Sequence, residues 1–169
     1  MKRLNKSIFL SILVSIGLAL SILESSIPLP ITIPGARLGL SNMVVLITLI
    51  MFGFREGLVV SSLKSIVLML ITGSISSFIY SFSGAIISCI GMYVVYEYFS
   101  RVFSLIGVSI FGALFHNFAQ VTIASFMMNN MRIYTYLPFL MITSIFTGYF
   151  VGLSSTFIIK NLKKVLIFY

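Results

Sequence analysis

Long apolar runs alternate with short polar breaks along the whole chain. A helix needs roughly 20 residues to cross a hydrocarbon core of ~30 Å, and apolar runs of about this length, two of them shorter, recur along the chain. The pattern predicts an all-α integral membrane bundle of about six transmembrane helices, which form a single membrane domain over residues 1–169. The predicted helices cover residues 7–24, 39–53, 57–72, 77–98, 104–128 and 136–160.

The second and third predicted helices are short, and a glycine-rich break separates them. Residues 53–57 read Gly-Phe-Arg-Glu-Gly, which is too polar for the middle of a spanning helix. The break predicts a tight turn between two short helices, and it leaves open whether either helix crosses the membrane fully.

Composition places the chain among membrane proteins. Hydrophobic residues make up 59% and charged residues 8% of the 169 residues, and the mean hydropathy is +1.16. A soluble domain carries about 25% charged residues. The single cysteine, Cys89, lies inside an apolar run, which favours a buried structural thiol.

The basic residues predict the orientation, because cytoplasmic loops are enriched in Lys and Arg. With a cytoplasmic N-terminus, the outer loops carry only Arg37 and Arg132. The basic residues of the inner side are Lys2, Arg3, Lys6, Arg55, Arg101, Lys160, Lys163 and Lys164. The chain is therefore predicted to be a multi-pass protein of the cytoplasmic membrane with both termini in the cytoplasm, and its net charge of +8 requires no nucleic acid partner. The first run resembles a signal peptide, but residues 23–28 offer a poor cleavage site, which favours a retained helix.

Lys64 lies near the middle of the third apolar run. A lysine at membrane depth costs roughly 2.5–3.5 kcal/mol on insertion scales, and such a residue faces a bundle interior or a polar cavity. The acidic residues available to neutralise it are Glu24, Glu56 and Glu97, and the chain has no aspartate. The sequence therefore predicts that an anionic ligand is the partner of Lys64.

Helix five carries three strongly polar residues, His116, Asn117 and Gln120. His116 and Gln120 share one helical face, and Asn117 is turned from it by about 100°. Buried side chains of this kind need hydrogen-bond partners. One such polar side chain usually forms a hydrogen bond to another helix, whereas three such side chains predict the lining of a substrate cavity. Asn42 and Glu24 are predicted to contribute from the outer side.

The predicted loop after the first helix, residues 25–38, contains three prolines and a glycine but remains apolar. This composition predicts a stiff, extended connection that packs over the outer mouth of the bundle as a lid. Arg37 is predicted either to attract an anionic ligand at that mouth or to lie among lipid headgroups.

Two helices carry small residues four positions apart. Such spacing allows another helix to approach closely in lipid. Ser11, Ser15 and Ala19 on the first helix predict either a docking surface for a partner or packing within the bundle. Gly148 and Gly152 on the last helix favour packing.

Catalytic and metal chemistry have little support in the sequence. One histidine, one cysteine and no aspartate give no usable set of metal ligands. No Ser–His–acid spacing stands out, and the nucleotide-binding GxxxxGK[ST] motif is absent. The chain is predicted to be no enzyme and to bind no cofactor.

Several motifs resemble one family of small bacterial membrane proteins. Residues 34–42 read Pro-Gly-Ala-Arg-Leu-Gly-Leu-Ser-Asn, similar to the PGAKLGLAN signature of the Gx transporter family, whose older label is heptaprenyl diphosphate synthase component I. Further similarities, in the same order along nearly the whole chain, are Leu23-Glu24-Ser25, Lys64, Ser83-Gly84, Gly107-Val108-Ser109 and Gly112-Ala113…His116-Asn117…Gln120. The chain departs from the family at Phe118, where a small residue is commoner, and at Lys64, where arginine is more frequent.

The resemblance implies a function and partners. The family is similar to the S components of energy-coupling-factor (ECF) transporters, six-helix membrane proteins that bind vitamins or related micronutrients from outside. These dock on a transmembrane coupling subunit with two ATPases. In that class a small-residue pattern on helix one is the docking face, here Ser11, Ser15 and Ala19, and the first loop covers the pocket, here residues 25–38. The older label implies an alternative, a non-catalytic membrane subunit associated with a heptaprenyl diphosphate synthase.

Overall fold

Six α-helices and one short 3-10 helix make up the described part of the chain. The computed structural model describes residues 3–26 and 39–167, with side chains described over 6–26 and 39–164. The elements are α1 (Arg3–Ser25), α2 (Asn42–Phe52), α3 (Phe54–Thr72), α4 (Ile75–Phe99), α5 (Leu105–Met127), the 3-10 helix η1 (Met131–Tyr136) and α6 (Leu137–Ile167). The prediction of an all-α bundle of six helices is confirmed.

The outside of the bundle is apolar. Among the described residues, four stretches are long and apolar enough to cross a membrane: Lys6–Ser25, Ile75–Phe99, Leu105–Met127 and Met131–Lys164. Large apolar side chains such as Phe126, Phe146 and Phe157 are well exposed on them. Exposed apolar surface on this scale is typical of contact with lipid.

Helix α2 is the short member of the bundle. Its 11 residues span about 16 Å, roughly half of a hydrocarbon core. Residues on all its sides are buried, so neighbouring helices surround it. The N-terminal end of α2 is therefore enclosed by the bundle, about 16 Å from the α2–α3 connection.

The connection between α2 and α3 is a single glycine. Gly53 has φ 104° and ψ 177°, and its N–H caps α2 by donating to the Leu49 carbonyl. Only glycine adopts this backbone region without strain. Phe54 to Glu56 form the first turn of α3, where an acidic residue suits the helix dipole. The turn is therefore shorter than the five residues that the sequence predicts.

Gly53→Ala is expected to destabilise the protein by about 1–3 kcal/mol, because alanine cannot adopt the Gly53 conformation without strain. The measurement is the thermal midpoint of the protein purified in mild detergent. Gly73→Asn is the matched control, since Gly73 caps α3 in the left-handed region (φ 65°), which asparagine tolerates. Equal losses in the two variants would contradict the special role of Gly53.

An ion pair fixes the ends of α1 and α3 beside each other. The Lys6 ammonium donates to the Glu56 carboxylate, so the start of α1 lies next to the α2–α3 connection. We call this end of the bundle the turn end. The Lys6 hydrogen bond lowers the pKa of Glu56 below its ordinary value. The ion pair therefore stabilises the fold at pH values above the ordinary pKa of a glutamate. This stabilisation is lost as the pH falls through the lowered pKa of Glu56.

Helix α5 packs between α4 and α6. Against α6 the contact is close, because Gly148 and Gly152 face the α5 backbone. A Cβ on either glycine would lie 2.6 Å from a backbone Cα, that of Ile110 or of Ile106. The predicted packing role of these two glycines is confirmed.

Candidate functional site

Lys64 is enclosed in the bundle at the level where α2 begins. Its side chain is 1% exposed, and its ammonium donates to the Ser41 hydroxyl at 2.7 Å. Its aliphatic stem passes Gly17 of α1, where a Cβ would lie 3.2 Å from Lys64 Cδ. Lys64 follows the start of α3 by ten residues, and Asn42 precedes the end of α2 by ten. Both therefore lie about 15 Å from the turn end.

Residues 39–42 form the entry to α2, and their backbone is fixed from two sides. Gly39 has φ 85°, and its N–H donates to the Glu24 carboxylate at the end of α1. The N–H of Asn42 in turn donates to the Gly39 carbonyl at 2.9 Å. Glycine suits position 39 because of this φ and because a Cβ there would lie 3.1 Å from the Asn42 side-chain nitrogen. Glu24 thus holds the polypeptide that presents Ser41 and Asn42.

The side chain of Asn42 is buried without using its polar atoms. It is 3% exposed, and neither Oδ1 nor Nδ2 has a hydrogen-bond partner among the described residues. Leaving a buried polar group unsatisfied costs about 1–3 kcal/mol. Most buried polar side chains are hydrogen-bonded, so an amide in this state requires an explanation.

His116 and Gln120 join the same cluster from α5. Both are buried, and their Nε2 atoms lie 3.1 Å apart. The imidazole covers Gly84 of α4, where a Cβ would lie only 2.8 Å from His116 Cε1. The same ring reaches the entry to α2, because a Cβ on Gly39 would lie 3.7 Å from His116 Cδ2. One polar cluster therefore receives side chains from α1, α2, α3 and α5.

Asn117 makes its contacts elsewhere. Its Nδ2 donates to the Ser144 hydroxyl at 2.7 Å and lies 3.4 Å from the Leu140 carbonyl. Ser144 itself donates to Leu140 on α6 and to Ala113 on α5. Asn117 therefore links α5 to α6, in agreement with its predicted rotation from the His116 face. A substrate contact from Asn117 remains a prediction.

Asn117→Ala and Ser144→Ala are both expected to lower the thermal midpoint of the purified protein, and Ser144→Ala should do so without changing any ligand that the protein retains. Hydrogen bonds between membrane helices are worth about 0.6 kcal/mol on average. The double variant should therefore lose less stability than the two single losses together, by about that amount. Strict additivity would contradict a direct bond between the two side chains.

Residues 13–158 match the family model described as heptaprenyl diphosphate synthase component I. The match runs from α1 to α6 and includes every residue of the polar cluster. The chain belongs to this family. It is a membrane protein, and the same family is the Gx transporter family. No curated protein and no solved structure matches the chain.

The small-residue ladder of this component I protein faces outward. Ser11, Ser15 and Ala19 are exposed, and the packed face of α1 carries Gly17 and Ser21 instead. The structure thus favours an outward surface over the alternative of packing within the bundle. Ser11 and Ser15 form one wall of an open groove of about 510 Å³, whose opposite wall is the α3 surface at Val59, Leu63 and Val67.

Three residues of the cluster have no assigned role in the sequence prediction. Ser41 receives the Lys64 hydrogen bond, while Gly17 and Gly84 make room for the Lys64 stem and the His116 ring. Gly84 stands in a motif that carries the family resemblance, which is a signal that points to it, whereas Ser41 stands where the similar signature has alanine. Arg37 and the lid predicted over residues 25–38 fall almost entirely outside the described residues, since 27–38 are not described.

Proposed function

We propose that this component I protein is the substrate-binding membrane component of an ECF-type uptake transporter. In this proposal it binds a small anionic or polar molecule from the outside, with both termini in the cytoplasm. The observation that carries the proposal is the position of Lys64. A buried ammonium meets the N-terminal end of α2 at the middle of the bundle, with Asn42, His116 and Gln120 around it.

The electrostatics of this position favour an anion. The N-terminus of a helix carries roughly half a positive charge from its backbone dipoles, and it is a natural site for phosphate or carboxylate groups. Here the Lys64 ammonium lies beside that same terminus through its bond to Ser41. The Glu24 carboxylate is held at this entry by the Gly39 N–H, and the anionic group of a ligand is proposed to bind beside Lys64 and the α2 terminus. Arg37, outside the described residues, is proposed to assist at the mouth.

The neighbouring polar side chains supply selectivity in this proposal. His116 and Gln120 are held by each other and by the close contact with Gly84. Asn42 is held by the fixed turn at Gly39. Side chains with locked positions discriminate ligands better than mobile ones, because less ordering is required on binding.

The groove between α1 and α3 is the proposed docking surface for the transmembrane coupling subunit. Its α1 wall offers small hydroxyl side chains, Ser11 and Ser15, and its α3 wall is apolar. Small residues permit close contact between helices, and their hydroxyls add hydrogen bonds across the contact. Ala19 continues the same exposed ladder.

Co-purification tests this proposal. The tagged protein is extracted from its own membranes in mild detergent, and the recovered proteins are identified by mass spectrometry. Recovery of a transmembrane coupling subunit with its ATPases is the expected result. The variant Ser11→Phe/Ser15→Phe should lose this complex, because two phenyl rings fill the groove. Ser154→Phe, at an exposed serine of α6, is the matched control and should keep it.

The description of the family supports a second candidate. Component I of a heptaprenyl diphosphate synthase would be a non-catalytic membrane subunit that associates with a soluble prenyl synthase. The same experiment separates the two candidates. Recovery of a soluble prenyl synthase subunit, with no coupling subunit, would support the second candidate and contradict the transporter.

A further inference from the structure

We infer that the ligand carries, besides its anionic group, an amide-like edge with a hydrogen-bond donor beside a carbonyl-type acceptor, and that Asn42 binds this edge. The inference rests on the proposed function and specifies its substrate class. It starts from the unused side-chain amide at the entry to α2.

Asn42 differs from its neighbours in the cluster. The Lys64 ammonium is bonded to Ser41, and His116 lies within hydrogen-bond distance of Gln120. For Asn42, the acceptor Oδ1 and the donor Nδ2 are both buried and without a partner among the described residues. An apolar side chain of similar size at this position would avoid the cost of two unsatisfied groups. The amide is therefore explained by a partner that the described residues do not supply.

The chemistry of that partner follows from the asparagine amide itself. Its oxygen accepts and its nitrogen donates, in one plane. A group that presents a donor beside an acceptor satisfies both atoms, as an amide, a lactam ring or a neutral carboxylic acid does. A carboxylate or phosphate satisfies only Nδ2, because its oxygens have no hydrogen to give to Oδ1. The anionic group thus belongs with Lys64, and the uncharged edge belongs with Asn42.

The position of the amide is well defined. Asn42 is the first residue of α2, and the Gly39 backbone lies close against its Nδ2. Ser41, the residue before Asn42, accepts a hydrogen bond from the Lys64 ammonium. The two binding groups are therefore anchored at consecutive residues of the α2 entry, and in this inference one small molecule binds both. The ligand class is an acidic amide or an acidic nitrogen heterocycle of lactam type. A prenyl diphosphate lacks the required edge, and a fatty acid lacks it because its single carboxyl group would be the anion beside Lys64.

Asn42→Leu tests this inference. The wild-type protein and variants are purified from native membranes, and the small molecules that they retain are released by denaturation and identified by mass spectrometry. We expect the wild type to retain an acidic molecule with an amide or lactam group. We expect Asn42→Leu to retain at least about tenfold less of it, the equivalent of losing 1.4 kcal/mol. The thermal midpoint of the ligand-free Asn42→Leu protein should equal or exceed that of the ligand-free wild type.

Ser155→Ala is the matched control. Ser155 is a buried serine of α6 whose hydroxyl also has no partner among the described residues, so its removal deletes an unsatisfied group without touching Asn42. This variant should retain the molecule as the wild type does.

The outcomes separate the two proposals. Loss of the molecule in Lys64→Met but full retention in Asn42→Leu would overturn this inference alone. A retained molecule without the donor–acceptor edge would do the same. A wild-type protein that retains no small molecule would overturn the proposed function, and this inference with it. A ligand-free Asn42→Leu protein that unfolds well below the wild type would show that the amide has a structural role.

Discussion

Replacing Lys64 by methionine is expected to remove ligand binding while the bundle stays folded. Methionine keeps an unbranched stem beside Gly17 and deletes the ammonium that donates to Ser41. A hydrogen bond to a charged group is worth about 1.5–3 kcal/mol, and more when a buried charge loses its partner. The expected loss of affinity is therefore roughly 10- to 150-fold. Stability should not fall, because a lysine at membrane depth costs about 2.5–3.5 kcal/mol.

Two readouts test this expectation, the amount of small molecule that the purified protein retains and its thermal midpoint without ligand. Lys64→Arg is the matched control. It keeps the positive charge and can donate to Ser41 as lysine does. It should retain the ligand. Full retention by Lys64→Met would remove Lys64 from the site, and unfolding of Lys64→Met would assign the residue a structural role.

Gly148→Ala is expected to give a large loss of stability. The new methyl group would lie 2.6 Å from the Ile110 Cα, a backbone atom that cannot rotate away. Overpacking a well-packed interior costs typically about 1–3 kcal/mol, and here relief requires α6 to move away from α5. Gly152→Ala meets the same obstacle at Ile106. Because the two glycines share one interface, the double variant should not be strictly additive.

The thermal midpoint in mild detergent measures this effect. Ser154→Ala is the matched control, since Ser154 lies on the same helix and is exposed. It should change the midpoint little, because surface substitutions usually stay within about 0.5 kcal/mol. A Gly148→Ala protein as stable as the control would contradict the close backbone contact between α5 and α6.

Much of the fold could be predicted from the sequence because lipid imposes simple rules on composition. A spanning helix must be apolar over its length, so hydropathy locates α1, α4, α5 and α6 well. The same rules locate α2 and α3 less accurately. A break that hydropathy assigns to residues 53–57 proves to be Gly53 alone, because a backbone conformation open only to glycine reverses the chain in one residue.

The candidate site, like the fold, could be predicted from the sequence only in part. Lys64 and His116 are conspicuous in the sequence, because polar groups at membrane depth are costly and few. The sequence gives no means of pairing Lys64 with Ser41 or Asn117 with Ser144, since each pair joins residues more than 20 positions apart. It also gives Asn117 the same expected role as His116, whereas the structure directs the first to α6 and the second to the entry of α2.

By itself the sequence determined the membrane environment, the six helices, the membership of the component I family and the presence of a few costly polar side chains. The tertiary structure alone decided which of these side chains meet. Partners between helices depend on the rotation and depth of each helix, and close contacts set both. Gly148 and Gly152 admit the α5 backbone, Gly84 admits His116, and Gly17 admits the Lys64 stem. Such contacts join positions far apart in the chain, so no local pattern of apolar and polar residues contains them.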